Sequence, residues 1–253
     1  MIKYSSYDYL SNLPFYIEGI GNIKCPTLRN IREITYSLFS IFLNVIEMKL
    51  EDFLKVSGLL ENYNTLNEAQ KDEISLYVML MSQKPELIYE LISFFICDDI
   101  SYNPDTFEFE IHQINDEKKT IIGHINNENF EYFRMQVRYI LGVERKSEQT
   151  PIFKNKLAKK MFKRLQKHKA EKQKENDENF SLDNMILKYC TNNKVGINIL
   201  NVWDMTYYQF TKLFSEYMNA RQCDICDMMA ANTFSYKNSS DYKPMEYMKK
   251  LNN

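Results

Sequence analysis

The chain has 253 residues, 44% hydrophobic and 14% aromatic, with a formal net charge of −2 at neutral pH. That length can bury a sizeable core in one large domain or two modest ones, and that apolar content excludes wholesale disorder. Six glycines and six prolines are too few for a sandwich or barrel that turns every ten residues, so the composition points to helices.

Taken in chain order, residues 14–26 place two short apolar runs around a glycine-containing turn, the pattern of a small hairpin. Thr27 follows as a helix cap, and Leu28, Ile31, Ile34, Leu38, Phe42 and Val45 recur at spacings of three and four, one core-facing helical stripe. A second helix is predicted over Leu50 to Leu60. A third starts after Asn67 and runs to Ser82, with Ile74, Tyr77, Val78 and Met81 on one face. A fourth opens at Pro85 and reaches about Cys97. Together these four make a bundle.

The period then changes. Phe107, Phe109 and Ile111 alternate with Glu108, Glu110 and His112 as a half-buried strand, and Thr120 to Ile125 returns as its partner. Asn127 caps a helix over Glu128 to Leu141, which Gly142 stops. Beyond it the chain is charged. Residues 151–176 hold ten Lys or Arg against two Glu, about +8, so the remainder carries about −10. Phe153, Leu157, Met161 and Leu165 lie four apart there, an amphipathic helix, and the stretch after Leu165 reads as solvated. Leu182, Met185, Ile186 and Tyr189 mark a short helix. Asp204 or Thr206 caps a long one bearing Tyr207, Phe210, Leu213, Phe214 and Tyr217 on one face, and Pro244 can open a last short helix.

The predicted architecture is mainly α. A helical N-terminal module with β-hairpins (1–142) leads through a charged basic linker or helix (143–179) to a small helical C-terminal module (180–253). The N-terminus lacks the apolar core of a signal peptide, and the longest apolar run, Leu91 to Cys97, is far too short to span a bilayer, so the expected location is the cytoplasm, without membrane contact. The five cysteines (Cys25, Cys97, Cys190, Cys223, Cys226), odd in number and scattered, are expected as reduced thiols.

No constellation of residues specifies chemistry. Cys223 and Cys226 have the spacing of half a zinc site or a redox pair, but no second pair accompanies them, and His112, His124 and His168 are distant in sequence. His112 and His124 fall on opposite arms of the predicted hairpin and can face each other there, without nucleophile or carboxylate partner. Gly19 and Gly21 lack the third glycine and the strand–helix unit of a phosphate loop. The expectation is therefore no catalytic residue, no cofactor and no metal. The basic stretch Lys154 to Lys174 suits a solvated linker helix, a protein-docking arm or, as the weaker reading, nucleic-acid phosphates.

Two sets of segments resemble a known family. Tyr7-Asp-Tyr-Leu10, Ile17-Glu-Gly-Ile-Gly21 and Pro26-Thr-Leu-Arg29 are similar to the opening of proteins encoded beside tail genes in phages of low-GC bacteria. Residues Asn198 to Phe210 resemble a Trp-Asp-(Leu)-Thr-x-x-Gln-(Leu/Phe) signature of the same group, with Met205 in place of Leu. The family's glycine-containing stretch after the long helix is replaced by Met228 to Tyr236. The resemblance covers about a quarter of the chain. It implies a tail assembly chaperone that binds the tape-measure protein while the tail tube polymerises. The expected partners are tape-measure or other tail proteins, with self-association as a further possibility. The candidate partner-binding residues are Trp203, Tyr207, Phe210 and Phe214, with the stripe Phe153, Leu157, Met161 and Leu165. The alternatives are a structural virion or adaptor protein and a nucleic-acid-binding regulator.

Overall fold

The computed structural model describes residues 4–115, 118–143 and 179–231. The stripe Phe153, Leu157, Met161 and Leu165, His168 and the tail from Phe234 lie outside the described residues. Among these residues there are ten α-helices and five strands in two small antiparallel sheets, so the protein is mainly α with a small β component. They form two compact units. The first holds the residues up to 143 together with Asp204–Gln209, and the second holds the others from 179 onward.

In the first unit, β1 (Phe15–Ile17) and β2 (Gly21–Ile23) form the expected hairpin, and Thr27 caps α1 (Leu28–Ile34) in a reciprocal box with Asn30. The single stripe predicted from Leu28 to Val45 is broken. Thr35 adopts φ 74, ends α1, and caps α2 (Tyr36–Glu47) by accepting the Leu38 N–H at 3.4 Å. The break leaves Ile34 and Leu38 only half-buried, while Phe39, Phe42, Val45 and Ile46 enter the core. The predicted second helix also divides, into α3 (Leu50–Val56) and α4 (Leu60–Asn64), because Gly58 turns the chain at φ 72. The third divides into α5 (Glu68–Asp72), capped by Asn67, and α6 (Leu76–Gln83), where Ser75 accepts the Val78 N–H at 3.1 Å. Its buried residues are Leu76, Tyr77 and Leu80, and Val78 is exposed. Local caps thus outbid the apolar period at three places. The helix α7 (Pro85–Phe95) begins at its proline as expected and supplies Ile88, Leu91, Ile92 and Phe95 to the core.

The second sheet has three strands, β3 (Asp99–Asn103), β4 (Glu108–Asn115) and β5 (Lys118–Ile125), in the order of the chain. The sequence reading missed β3. Phe107 is not in the strand: it lies in the preceding turn at φ 57, exposed, with its carbonyl accepting the Tyr77 hydroxyl at 2.9 Å. A bulge between Ile111 and His112 turns both inward, so the expected alternation fails at His112. His112 and His124 do not face each other. His124 pairs with Glu110 across the ladder, whereas the His112 Nε2 meets the Ser101 Oγ at 2.6 Å. The first hairpin lies on β5 through a bridge between Gly19 and Gly123, and β2 continues its pairing beyond α7, where the Cys97 N–H donates to the Asn22 carbonyl at 2.8 Å. The helix α8 (Phe130–Leu141) follows Asn129 rather than Asn127 and ends at Gly142.

The second unit consists of α9 (Leu182–Asn192), a loop, a 3-10 turn (Val202–Asp204) and all but the first three residues of α10 (Tyr207–Ala231). Tyr189 joins the two helices, its ring 6.0 Å from Phe210 and 5.6 Å from Tyr217. Among the described residues no helix is long and apolar enough to cross a membrane.

Candidate protein-docking site

Two of the segments that carry the family resemblance, Tyr7–Leu10 and Pro26–Arg29, meet the Asp204–Gln209 part of a third inside the first unit. Asp204–Gln209 runs beside Pro26–Arg29: the Leu28 N–H donates to the Met205 carbonyl at 3.0 Å, and the Tyr207 N–H donates to the Pro26 carbonyl at 2.8 Å. The Arg29 guanidinium holds the Asp204 carboxylate at 2.7 Å, both exposed. The Gln209 Nε2 donates to the Leu10 carbonyl at 2.7 Å, and the Tyr208 ring packs on Tyr9 at 5.7 Å. Thr206 is the cap of α10. It accepts the Gln209 N–H at 3.1 Å, while the Gln209 side chain accepts the Thr206 N–H at 2.9 Å. Asp204 is therefore a surface ion pair, not the cap. Thr206→Ala is expected to cost about 1 kcal/mol, against less than about 1 kcal/mol for Asp204→Asn at an exposed pair. Parallel urea titrations check the ranking.

Cys25 is buried beneath this segment, and burial pushes its thiol from 9.0 up to about 11. Burial likewise pushes the Tyr207 phenol from 10.0 up to about 12. Both groups stay neutral longer in the folded state than in the unfolded chain. The stability they supply is complete below about pH 9 and is lost as the pH rises, for Cys25 through about 11 and for Tyr207 through about 12. The expected slope is about 1.4 kcal/mol per pH unit for each group within its window. Unfolding free energies measured from pH 8 to 10 should fall for the native chain and fall less steeply for Cys25→Ala. Equal slopes would refute the assignment.

These contacts change the standing of the candidate partner-binding residues. Phe210 is wholly buried, and Phe214 nearly so, in the second unit's own core, so neither offers a surface to a partner in this structure. Helix α10 needs them to hold Tyr189 and Phe180. Tyr207 is half-buried, its ring 5.3 Å from Phe39. Trp203 is half-exposed, its indole N–H donating to the Ile199 carbonyl at 2.8 Å. Cys223 is buried and Cys226 half-buried on α10, and among the described residues no group of three His, Cys, Asp or Glu is placed to hold a metal.

The accessible apolar surface lies elsewhere. From the middle of α10 onward, Met218, Ile225, Met228 and Met229 are exposed by 41%, 38%, 66% and 50%, a stripe at helical spacing. The loop before it presents Val195, Ile199 and Leu200 to solvent on a frame of asparagines: the Asn193 Oδ1 accepts the N–H groups of Val195 and Ile197, both at 3.1 Å. In the first unit, a groove of about 410 Å³ runs between α1–α2 and α7, floored by Ile34, Leu38, Phe42 and Phe94. Sequence periodicity did not reveal these sites, because it assigns apolar residues at helical spacing to the core by default.

Residues 171–252, about a third of the chain, match the model of a family described as the YomV second domain, a phage-derived family, which is consistent with a phage protein. No curated protein and no solved structure gives a significant match.

Proposed function

We propose that the chain is a non-enzymatic phage tail assembly chaperone that binds helical segments of the tape-measure protein while the tail is built. The observation that carries the reading is the exposed methionine and isoleucine stripe of α10, which lies within the segment matched to the phage-derived family. Methionine is unbranched and polarizable, so a surface of several methionines fits varied apolar helices without a fixed mould. Preordered loops such as 193–201 add apolar contacts at small entropic cost. Long clients with repeating apolar stripes are what such a surface suits.

Co-expression with the tape-measure protein of the same phage tests the reading. The two are expected to co-purify, and Met228→Asp with Met229→Asp should reduce recovery at least tenfold, since burying each such side chain contributes about 1.5–3 kcal/mol. Both side chains are exposed, so circular dichroism of the double variant should match the native chain. Mass spectrometry of purified virions should find the protein absent. Its presence in fixed stoichiometry would replace the chaperone with a structural virion protein.

A further inference from the structure

Ser93 in α7 carries a hydroxyl oxygen that is buried and has no hydrogen-bond partner among the described residues. A serine within a helix ordinarily returns its hydroxyl to a backbone carbonyl of the preceding turn or turns it to water, and Ser93 does neither. Ser40 and Ser57 follow the ordinary rule, donating to the carbonyls of Tyr36 and Phe53. Ser93 lines the groove between α1–α2 and α7, beside the half-buried Phe94 and the exposed Tyr89. The break at Thr35 is what opens this groove, because it leaves Ile34 and Leu38 short of full burial.

The charge around the groove selects its occupant. Glu33 on α1 and Glu90 on α7 line it and are exposed, against Lys24 and Asn30 as the other polar lining residues. Over residues 1–145 and Asp204–Gln209 the sequence holds 13 Lys or Arg and 23 Asp or Glu, a balance of −10. Two of those cations, Arg134 and Arg138, are buried against backbone carbonyls and Glu131, so they add little to the surface potential. An acidic surface with an apolar trough attracts a cationic partner and repels an anionic one.

We infer that this groove docks a cationic amphipathic helix of a partner protein. The apolar stripe of that helix covers Ile34, Leu38 and Phe94, and its flanking lysines or arginines meet Glu33 and Glu90. The inference rests on the client-binding reading and adds to it the chemistry of the client and a second place of contact.

Two labelled helical peptides with the same leucine stripe, one flanked by lysines and one by glutamates, test it by fluorescence anisotropy against the full chain. The lysine-flanked peptide should bind at least tenfold more tightly than the other, with affinity falling as salt rises. Glu33→Lys with Glu90→Lys should reverse that preference, and both positions are exposed, so the fold is retained. Binding that ignores the charge reversal overturns the groove and leaves the client reading standing. Failure of both peptides to bind while the tape-measure protein still co-purifies has the same meaning. Failure of both, together with loss of that co-purification, overturns both readings. Self-association of the native chain that the charge reversal abolishes gives the groove to a second copy and overturns the partner assignment.

Discussion

Arg134→Met is expected to lower the unfolding free energy by about 2–3 kcal/mol and Arg138→Met by a similar amount, while the double variant loses more than their sum. The cause lies at the C-terminal end of α2. Its last carbonyls lack onward donors within the helix, and that of Ile46 is buried. The Arg134 Nη2 donates to the Ile46 carbonyl at 2.9 Å and also to the Met48 carbonyl, and the Arg138 Nη1 donates to the Ile46 carbonyl at 2.8 Å. Both guanidiniums are buried, and both also hold Glu131, at 2.5 and 3.0 Å. In either single variant Ile46 keeps one donor. Only the double variant strands that carbonyl, hence the excess. Lysine at 134 should not restore stability, because a single ammonium cannot span two carbonyls and a carboxylate as the planar fork does. Guanidinium titrations of the four chains measure the coupling, and an additive double variant would show that the shared carbonyl contributes nothing.

Gly123→Ala is expected to cost about 3 kcal/mol or more, against about 1–2 kcal/mol for Gly58→Ala. The added methyl carbon at 123 would lie 2.7 Å from the backbone carbon of Ile20 and 2.8 Å from its oxygen, where no side-chain rotation can relieve the overlap. The first hairpin would have to lift from β5, losing the His124 N–H bond to the Gly19 carbonyl at 3.1 Å and uncovering Ile20 and Ile111. At Gly58, φ is 72 and nothing stands within 4 Å of the added carbon, so only backbone strain remains. Thermal melts of both variants separate close approach from strain, and equal losses would contradict the packing of the hairpin on the sheet.

The sequence by itself determined the mainly helical class and those features whose signal is local. Thr27 caps a helix, Pro85 opens one and Gly142 closes one, because each acts through its own backbone and the next turn. The hairpin at 15–23 was legible for the same reason. Elsewhere two local signals competed. Apolar spacing ran through Thr35 and Ser75, and the capping side chains there ended the helices instead. The sequence also drew attention to Tyr7–Leu10, Pro26–Arg29 and Asp204–Gln209 without disclosing that they touch. Their contacts span up to 199 residues, and no local pattern encodes a pairing at that distance. Only the tertiary structure decided that Phe210 is core while Met228 and Met229 are surface, since all three are apolar residues on one helix and burial depends on what packs against each face. The same holds for Arg134 and Arg138. They are buried because the carbonyl end of another helix lies within reach of their guanidiniums, a contact 86 to 92 residues away in sequence.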